Sequence, residues 1–166
     1  MCHEVLAPGI EIWNDDFRSA MPKIGTIGHI ISDPPFEQVS HDASGSIRRS
    51  DGIENPVAIP FAGIDLLRPD IVRLTAAQCV GWALFFCTTE GVALWRDAIE
   101  RHGLKYKTPC IWNKVDSMPK FNGQGPSHGH ECIVTAWCGP GYSSWNGGGR
   151  RGMFTHACNP PTRHGV

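Results

Sequence analysis

The 166-residue chain reads as an α/β protein built around a mainly parallel sheet. Three observations predict this. Short apolar runs of strand length alternate with longer segments of helical periodicity, the pattern of crossover units. One run, Gly81 to Thr88, is almost continuously apolar, as a strand covered on both faces should be. The hydrophobic content, 41% over 166 residues, suits a single domain with a substantial core.

The elements follow in order. Ile10 to Trp13 reads as a short strand, and Asp15-Asp16 opens a helical turn through Met21. Gly28 to Ser32 forms the next strand and delivers Asp33 at its carboxyl end. Residues 37–60 are polar, carry Gly45, Gly52, Asn55, Pro56 and Pro60, and read as a flexible loop. Pro69 suits the first turn of a helix running to about Cys79. After the 81–88 strand, Val92, Trp95 and Ile99 share one helical face within 90–102, and Gly103 stops that helix. Lys105 to Lys114 and Glu131 to Cys138 are the last strands, and residues 139–166 form a Gly/Pro-rich tail. Ligands of such sheets bind outside the carboxyl ends of the strands, where Asp33 falls.

No run of eighteen apolar residues is present, so a membrane-spanning helix is not expected. The start of the chain lacks a basic segment followed by an apolar one, so no secretory signal is expected. Seven cysteines without framework spacing predict reduced thiols and a cytoplasmic location. The net charge of −1 hides a split: residues 1–100 hold 7 Lys/Arg against 14 Asp/Glu, and residues 101–166 hold 8 against 2. The basic third, with Lys105, Lys107, Lys114, Lys120, Arg150 and Arg151, either follows a phosphate backbone or is ordinary solvated surface. His128, His130, Cys132, Cys138, His156 and Cys158 are metal-ligand types, but their spacing matches no zinc pattern and no metal is expected.

The chemistry concentrates in Asp33-Pro34-Pro35-Phe36. An ionised Asp offers acceptors only, so it can hold the hydrogens of an exocyclic amine on a flat heterocycle. The carbonyl of Pro34 can take the second hydrogen, and the two prolines fix the backbone in advance. Phe36 can stack on a base rotated out of a duplex. The plainer alternative is a Pro-Pro turn in which Asp33 only caps a buried strand.

Several motifs together resemble the circularly permuted DNA amino-methyltransferases of phages and bacteria, in which the Asp-Pro-Pro strand comes first and the cofactor-binding half last. Ser32 to Phe36 matches the catalytic motif. Asn14 to Met21 resembles the family's opening Gly-Asp-Cys stretch, with Asp16 in the Asp position and Asp15 replacing Gly. Ile111-Trp112-Asn113-Lys114 resembles its Trp-x-Lys strand. Pro119-Lys120-Phe121-Asn122-Gly123, the strand opened by Glu131, and the Trp145 to Gly149 loop also fit such members.

The resemblance implies an incomplete class I, Rossmann-like methyltransferase sandwich. It also implies S-adenosylmethionine as methyl donor and double-stranded DNA as substrate. It assigns catalysis to Asp33, Pro34, Pro35 and Phe36, and cofactor contacts to Asp16 and Asp33. For Asp16 a helix cap is the other reading. Lys114, Lys120, Arg150 and Arg151 become nucleic-acid contacts. Asp rather than Ser at the first motif position leans toward adenine N6 over cytosine N4.

The departure is at the end. The family continues into a His-Pro-Thr-x-Lys-Pro turn and a Phe-x-Gly-x-Gly cofactor loop, about where this sequence reaches Arg163-His164-Gly165-Val166. Pro60-Phe61-Ala62-Gly63 resembles that loop only superficially, because Ile64-Asp65 follows and the order is wrong. The expectation is one methyltransferase catalytic domain over 1–166 that lacks its cofactor-loop half, which a second chain can supply. The alternatives are a non-catalytic nucleic-acid-binding remnant and half of a split enzyme.

Overall fold

The computed structural model of the chain describes residues 2–37, 63–121 and 123–158. The 37–60 loop beyond Glu37, most of the 60–63 look-alike and the stretch from Asn159 onward lie outside the described residues.

A five-stranded sheet carries the structure, in the order β3-β4-β6-β5-β7. Its strands are β3 (Ile30–Ser32), β4 (Trp82–Cys87), β5 (Lys105–Asn113), β6 (His130–Trp137) and β7 (Met153–Thr155). β3 and β4 pair in parallel, as do β5 and β7, whereas β6 runs antiparallel to both β4 and β5. Four strands therefore share one direction and a single reversed strand is inserted among them. The architecture is mixed α/β, as the alternation of strand and helix patterns in the sequence predicts.

Among the described residues three helices flank this sheet: α1 (Phe17–Ile24), α2 (Ile64–Gln78) and α3 (Gly91–Arg101). β4 alternates rather than being covered on both faces. Ala83, Phe85 and Cys87 are buried beneath α2 and α3, and Trp82, Leu84 and Phe86 are only half-buried on the other face. The core joins those residues to Ile64 and Val72 of α2, Trp95 and Ile99 of α3, and Cys132, Val134 and Ala136 of β6. Trp95 is fully buried and stacks on Phe85 with ring centroids 4.5 Å apart. That pair anchors the helical layer, since truncating such a ring in a core costs about 3–5 kcal/mol.

α2 begins five residues earlier than Pro69 suggests, at Ile64 rather than near Pro69 itself. Pro69 thus sits inside the helix, where it has no N–H to donate to the preceding turn. Burial of Ile64 and Arg68 holds this first turn nonetheless. At the other end, the Gln78 side chain donates to the carbonyls of Met21 (2.7 Å) and Gly25 (2.8 Å), tying α2 to the end of α1. Gly103, at φ 75°, turns the chain out of α3 as expected.

A separate antiparallel ribbon, β1 (Cys2–Ala7) with β2 (Ile10–Asn14), precedes this layer. β1 gives no alternation to read because its residues are nearly all exposed, Val5 and Leu6 included. No described helix is long and apolar enough to cross a membrane.

Candidate active site at the carboxyl edge of the sheet

Asp33 leaves β3 directly after Ser32, which pairs with Phe85 of β4. The same sheet edge receives the ends of β4 and β5 and the start of the reversed β6. Thr88 follows β4 there, and Asn113 of β5 stands opposite His130 of β6. Trp112 stands opposite Glu131, and Lys114 pairs with Glu131 while lying 4.7 Å from the centre of the Trp112 ring. The result is an exposed carboxylate beside a half-buried ion pair.

Although Asp33 is exposed, partial desolvation by its neighbours raises its carboxyl above the ordinary value, the negative charge of Glu131 adds to this, and Lys114 opposes it. Pro34 is buried, and Pro35 and Phe36 are half-buried. Phe36 contributes its carbonyl to the Ile64 N–H at 3.3 Å, fastening the tetrapeptide to the start of α2.

The residue after the tetrapeptide, Glu37, holds it from behind and was not singled out in the sequence. It is 3% exposed. One carboxylate oxygen accepts from the Arg68 guanidinium at 3.3 Å. The other accepts from the Thr88 hydroxyl at 2.8 Å and the Thr88 N–H at 3.3 Å. Arg68 is itself buried, with its guanidinium 5.5 Å from the Trp95 ring centre. Gly91 fits this arrangement because a Cβ there would lie 1.9 Å from the Glu37 carboxylate. A charged residue adjoining the motif and an Arg in a helix beginning with apolar residues were the available signals. Neither announces burial by itself.

An apolar pocket of about 180 Å³ lies under Pro34 and Pro35, lined by Phe17, Met21, Leu67 and Phe85 among others. The buried Thr75 hydroxyl, another lining group, has no hydrogen-bond partner among the described residues.

The other sequence-predicted residues divide. Asp16 caps α1: it accepts from the Arg18 N–H at 2.8 Å and pairs with the Arg18 guanidinium at 2.6 Å. These contacts, the side-chain bond first, hold its carboxyl down at about 2. Lys114 belongs to the Asp33 edge but is engaged by Glu131. Lys120 is exposed in the 114–130 connection. Arg150 and Arg151 are exposed and line a different cleft, beside Trp82 and Lys107. Among the described residues no three His, Cys, Asp or Glu side chains converge to hold a metal ion.

Comparison with known proteins finds a likeness in fold. M1.HpyAVI, a DNA methyltransferase, matches in its SAM complex with a TM-score of 0.50 at 17% identity, over 78% of this chain and 52% of that one. A second M1.HpyAVI structure matches with a TM-score of 0.52 at 15% identity, over 78% and 55%. A provisionally assigned DNA modification methylase from Thermus thermophilus (TM-score 0.48, 14% identity, 84% and 63%) adds no weight. The fold is a Rossmann-like one shared with M1.HpyAVI. The chain spans little more than half the length of these M1.HpyAVI structures. No protein-family profile and no curated protein matches the sequence.

Proposed function

We propose that this chain is the catalytic, target-facing part of an S-adenosylmethionine-dependent DNA methyltransferase acting on adenine N6. One observation carries the reading: Asp33-Pro34-Pro35-Phe36 sits at the carboxyl edge of a sheet whose fold is shared with a DNA methyltransferase. An aromatic amine is a poor nucleophile because its lone pair is delocalised into the ring. The Asp33 carboxylate and the Pro34 carbonyl accept its two hydrogens and draw the nitrogen toward a more nucleophilic geometry. Phe36 stacks on the flipped base, and the Glu37 anchor keeps these groups from having to be ordered during the reaction.

S-adenosylmethionine supplies the methyl group when bound. The residues present fit one side of that cofactor. Asp33 remains available, but Asp16 is already engaged by Arg18, and the 180 Å³ pocket falls below the roughly 300 Å³ of small-molecule sites. The outer edge of β3, where Ile31 is 75% exposed, has no strand beside it among the described residues. Both points support a cofactor half supplied from elsewhere, including by a second chain. Lys114, Lys120, Arg150 and Arg151 are the proposed contacts to double-stranded DNA.

The test is calorimetric titration of S-adenosylmethionine into the chain, followed by transfer of labelled methyl groups to adenine-containing DNA by the active assembly. Saturable micromolar binding places the pocket within this chain, and no binding places it in another segment. In either case Asp33→Ala abolishes methyl transfer while the thermal melt stays cooperative. An active Asp33→Ala protein refutes the mechanism.

A further inference from the structure

The sheet face turned away from α2 and α3 carries a second concavity. Trp82, Leu84 and Phe86 of β4 point to that face, as period-two alternation requires. Residues 139–152 lie over it: the Trp82 indole N–H donates to the Ser144 carbonyl at 2.6 Å, and the Lys105 ammonium to the Gly141 carbonyl at 2.6 Å. Between sheet and segment is a cleft of about 450 Å³. Its size falls within the roughly 300–1,000 Å³ of small-molecule sites.

Its chemistry is consistent from wall to wall. Trp82 and Trp145 form the aromatic part, with ring centroids 4.9 Å apart and planes at 77°. Trp137 braces Trp82 from the other side at 5.3 Å. Trp145 is folded back closely enough that a Cβ on Gly147 would lie 2.6 Å from its indole nitrogen, so a larger residue there would push the ring aside. Lys107, Arg150 and Arg151 supply three positive charges, and no carboxylate is among the lining residues. Thr135 spends its hydroxyl on the Thr108 carbonyl at 3.1 Å. The Cys110 thiol is kept protonated by burial, so it offers no competing charge or nucleophile.

The cleft is separate from Asp33. Trp82 opens β4, whereas Asp33 follows Ser32, which pairs with Phe85 near the far end of the same strand, so roughly 13 Å of sheet at 3.3 Å per residue lies between them. Indole planes beside cations that no carboxylate lining the cleft neutralises suit an aromatic ring joined to a phosphate. We infer that this cleft binds a nucleotide unit, base against Trp145 and phosphate against Lys107, Arg150 and Arg151. The unit is either a free nucleotide or part of a single strand. This site goes beyond the methyl-transfer reading and does not need it, although Arg150 and Arg151 are also among the contacts proposed above for double-stranded DNA.

The test uses the chain with two probes: 5′-AMP by calorimetry, and a fluorescently labelled ten-nucleotide oligothymidylate by anisotropy across a salt series. Binding of 5′-AMP identifies a free-nucleotide site, and binding of the oligonucleotide alone identifies a strand site. In either case Trp145→Leu weakens binding by about tenfold, as loss of one stacked base does. Lys107→Ala, which does not disturb the aromatic cluster, lowers the slope of log affinity against log salt by about 0.7 for the oligonucleotide. Asp33→Ala leaves both unchanged. Absence of binding to either probe at millimolar concentration overturns the site, and so does binding that ignores Lys107→Ala. If binding disappears in Asp33→Ala instead, the ligand lies at the sheet edge: this inference falls and the methyl-transfer reading stands.

Discussion

Removing the Glu37 carboxylate is the sharpest perturbation this fold offers. In Glu37→Ala the buried Arg68 guanidinium loses its buried counter-charge, keeping Asp65, at 3.0 Å on the partly exposed side. The Thr88 hydroxyl and N–H lose an acceptor at the same time. Breaking one partner of a buried ion pair costs about 3–5 kcal/mol, because the remaining charge stays desolvated. A chain of this size loses about 2–4 °C of Tm per kcal/mol, so the melt should fall by roughly 6–20 °C. Circular-dichroism melts at neutral pH measure it. Glu37→Gln should lose less, since an amide oxygen still accepts from Thr88. Gly91→Ala pushes a Cβ into the same carboxylate, 1.9 Å from its oxygen, and should destabilise through the same contact. The two losses should therefore not add: the double variant should melt close to the worse single variant. A Glu37→Ala melt within about 2 °C of the parent, less than 1 kcal/mol is worth, or full additivity with Gly91→Ala, refutes the anchor.

The remaining predictions concern charge. The Asp33 carboxyl is raised in the folded protein, so the stability it contributes is fully present below its unfolded value and is lost as pH rises through the folded one. Asp33→Asn should consequently stabilise the chain more at pH 7 than at pH 4, read from melts at both. In the active assembly, methyl transfer should fall as pH drops through that same raised value, where the acceptor is protonated. Asp16 has the opposite sign. Its carboxyl sits at about 2, so its support of α1 is present above the ordinary value of 3.8 and fades only as pH falls through about 2. Asp16→Ala should lower the melting temperature at pH 7, and the difference from the parent should persist at pH 4. On double-stranded DNA, Arg150→Ala should reduce the salt slope by about 0.9, while an unchanged slope would remove Arg150 from the contact surface.

Much of the fold is legible in the sequence because its signals are local. The β4 run, the Val92–Trp95–Ile99 face and the Asp33 tetrapeptide all declare themselves within eight residues. What escapes depends on partners distant in sequence. β1 has no buried face, so nothing in its pattern separates it from a loop. β7 is three exposed residues within a Gly-rich stretch, and it is a strand only because Ile111 to Asn113 lie beside it. Pro69 misplaces the start of α2 because a local rule was outweighed by burial of Ile64 and Arg68. Glu37 and Arg68 stand 31 residues apart, so neither could be known as half of a pair. Within the candidate site, the tetrapeptide stands out in the sequence, while the groups that support it do not.

The reversed strand explains why the site has its particular electrostatics. In a wholly parallel sheet the carboxyl edge receives only strand ends. Here β6 runs backward, so its first residues, His130 and Glu131, arrive at the edge where β3 and β5 finish. Glu131 raises the Asp33 carboxyl, and the Lys114 that pairs with it moderates the effect. Lys114→Met should then leave Glu131 unbalanced and lift the acid limb of the pH–rate profile toward neutrality. Glu131→Gln should shift that limb the other way, because Lys114 would act on Asp33 unopposed. Neither change touches the tetrapeptide or its Glu37 anchor. If both variants move the limb in the same direction, or neither moves it, the acceptor chemistry assigned to Asp33 does not govern the rate.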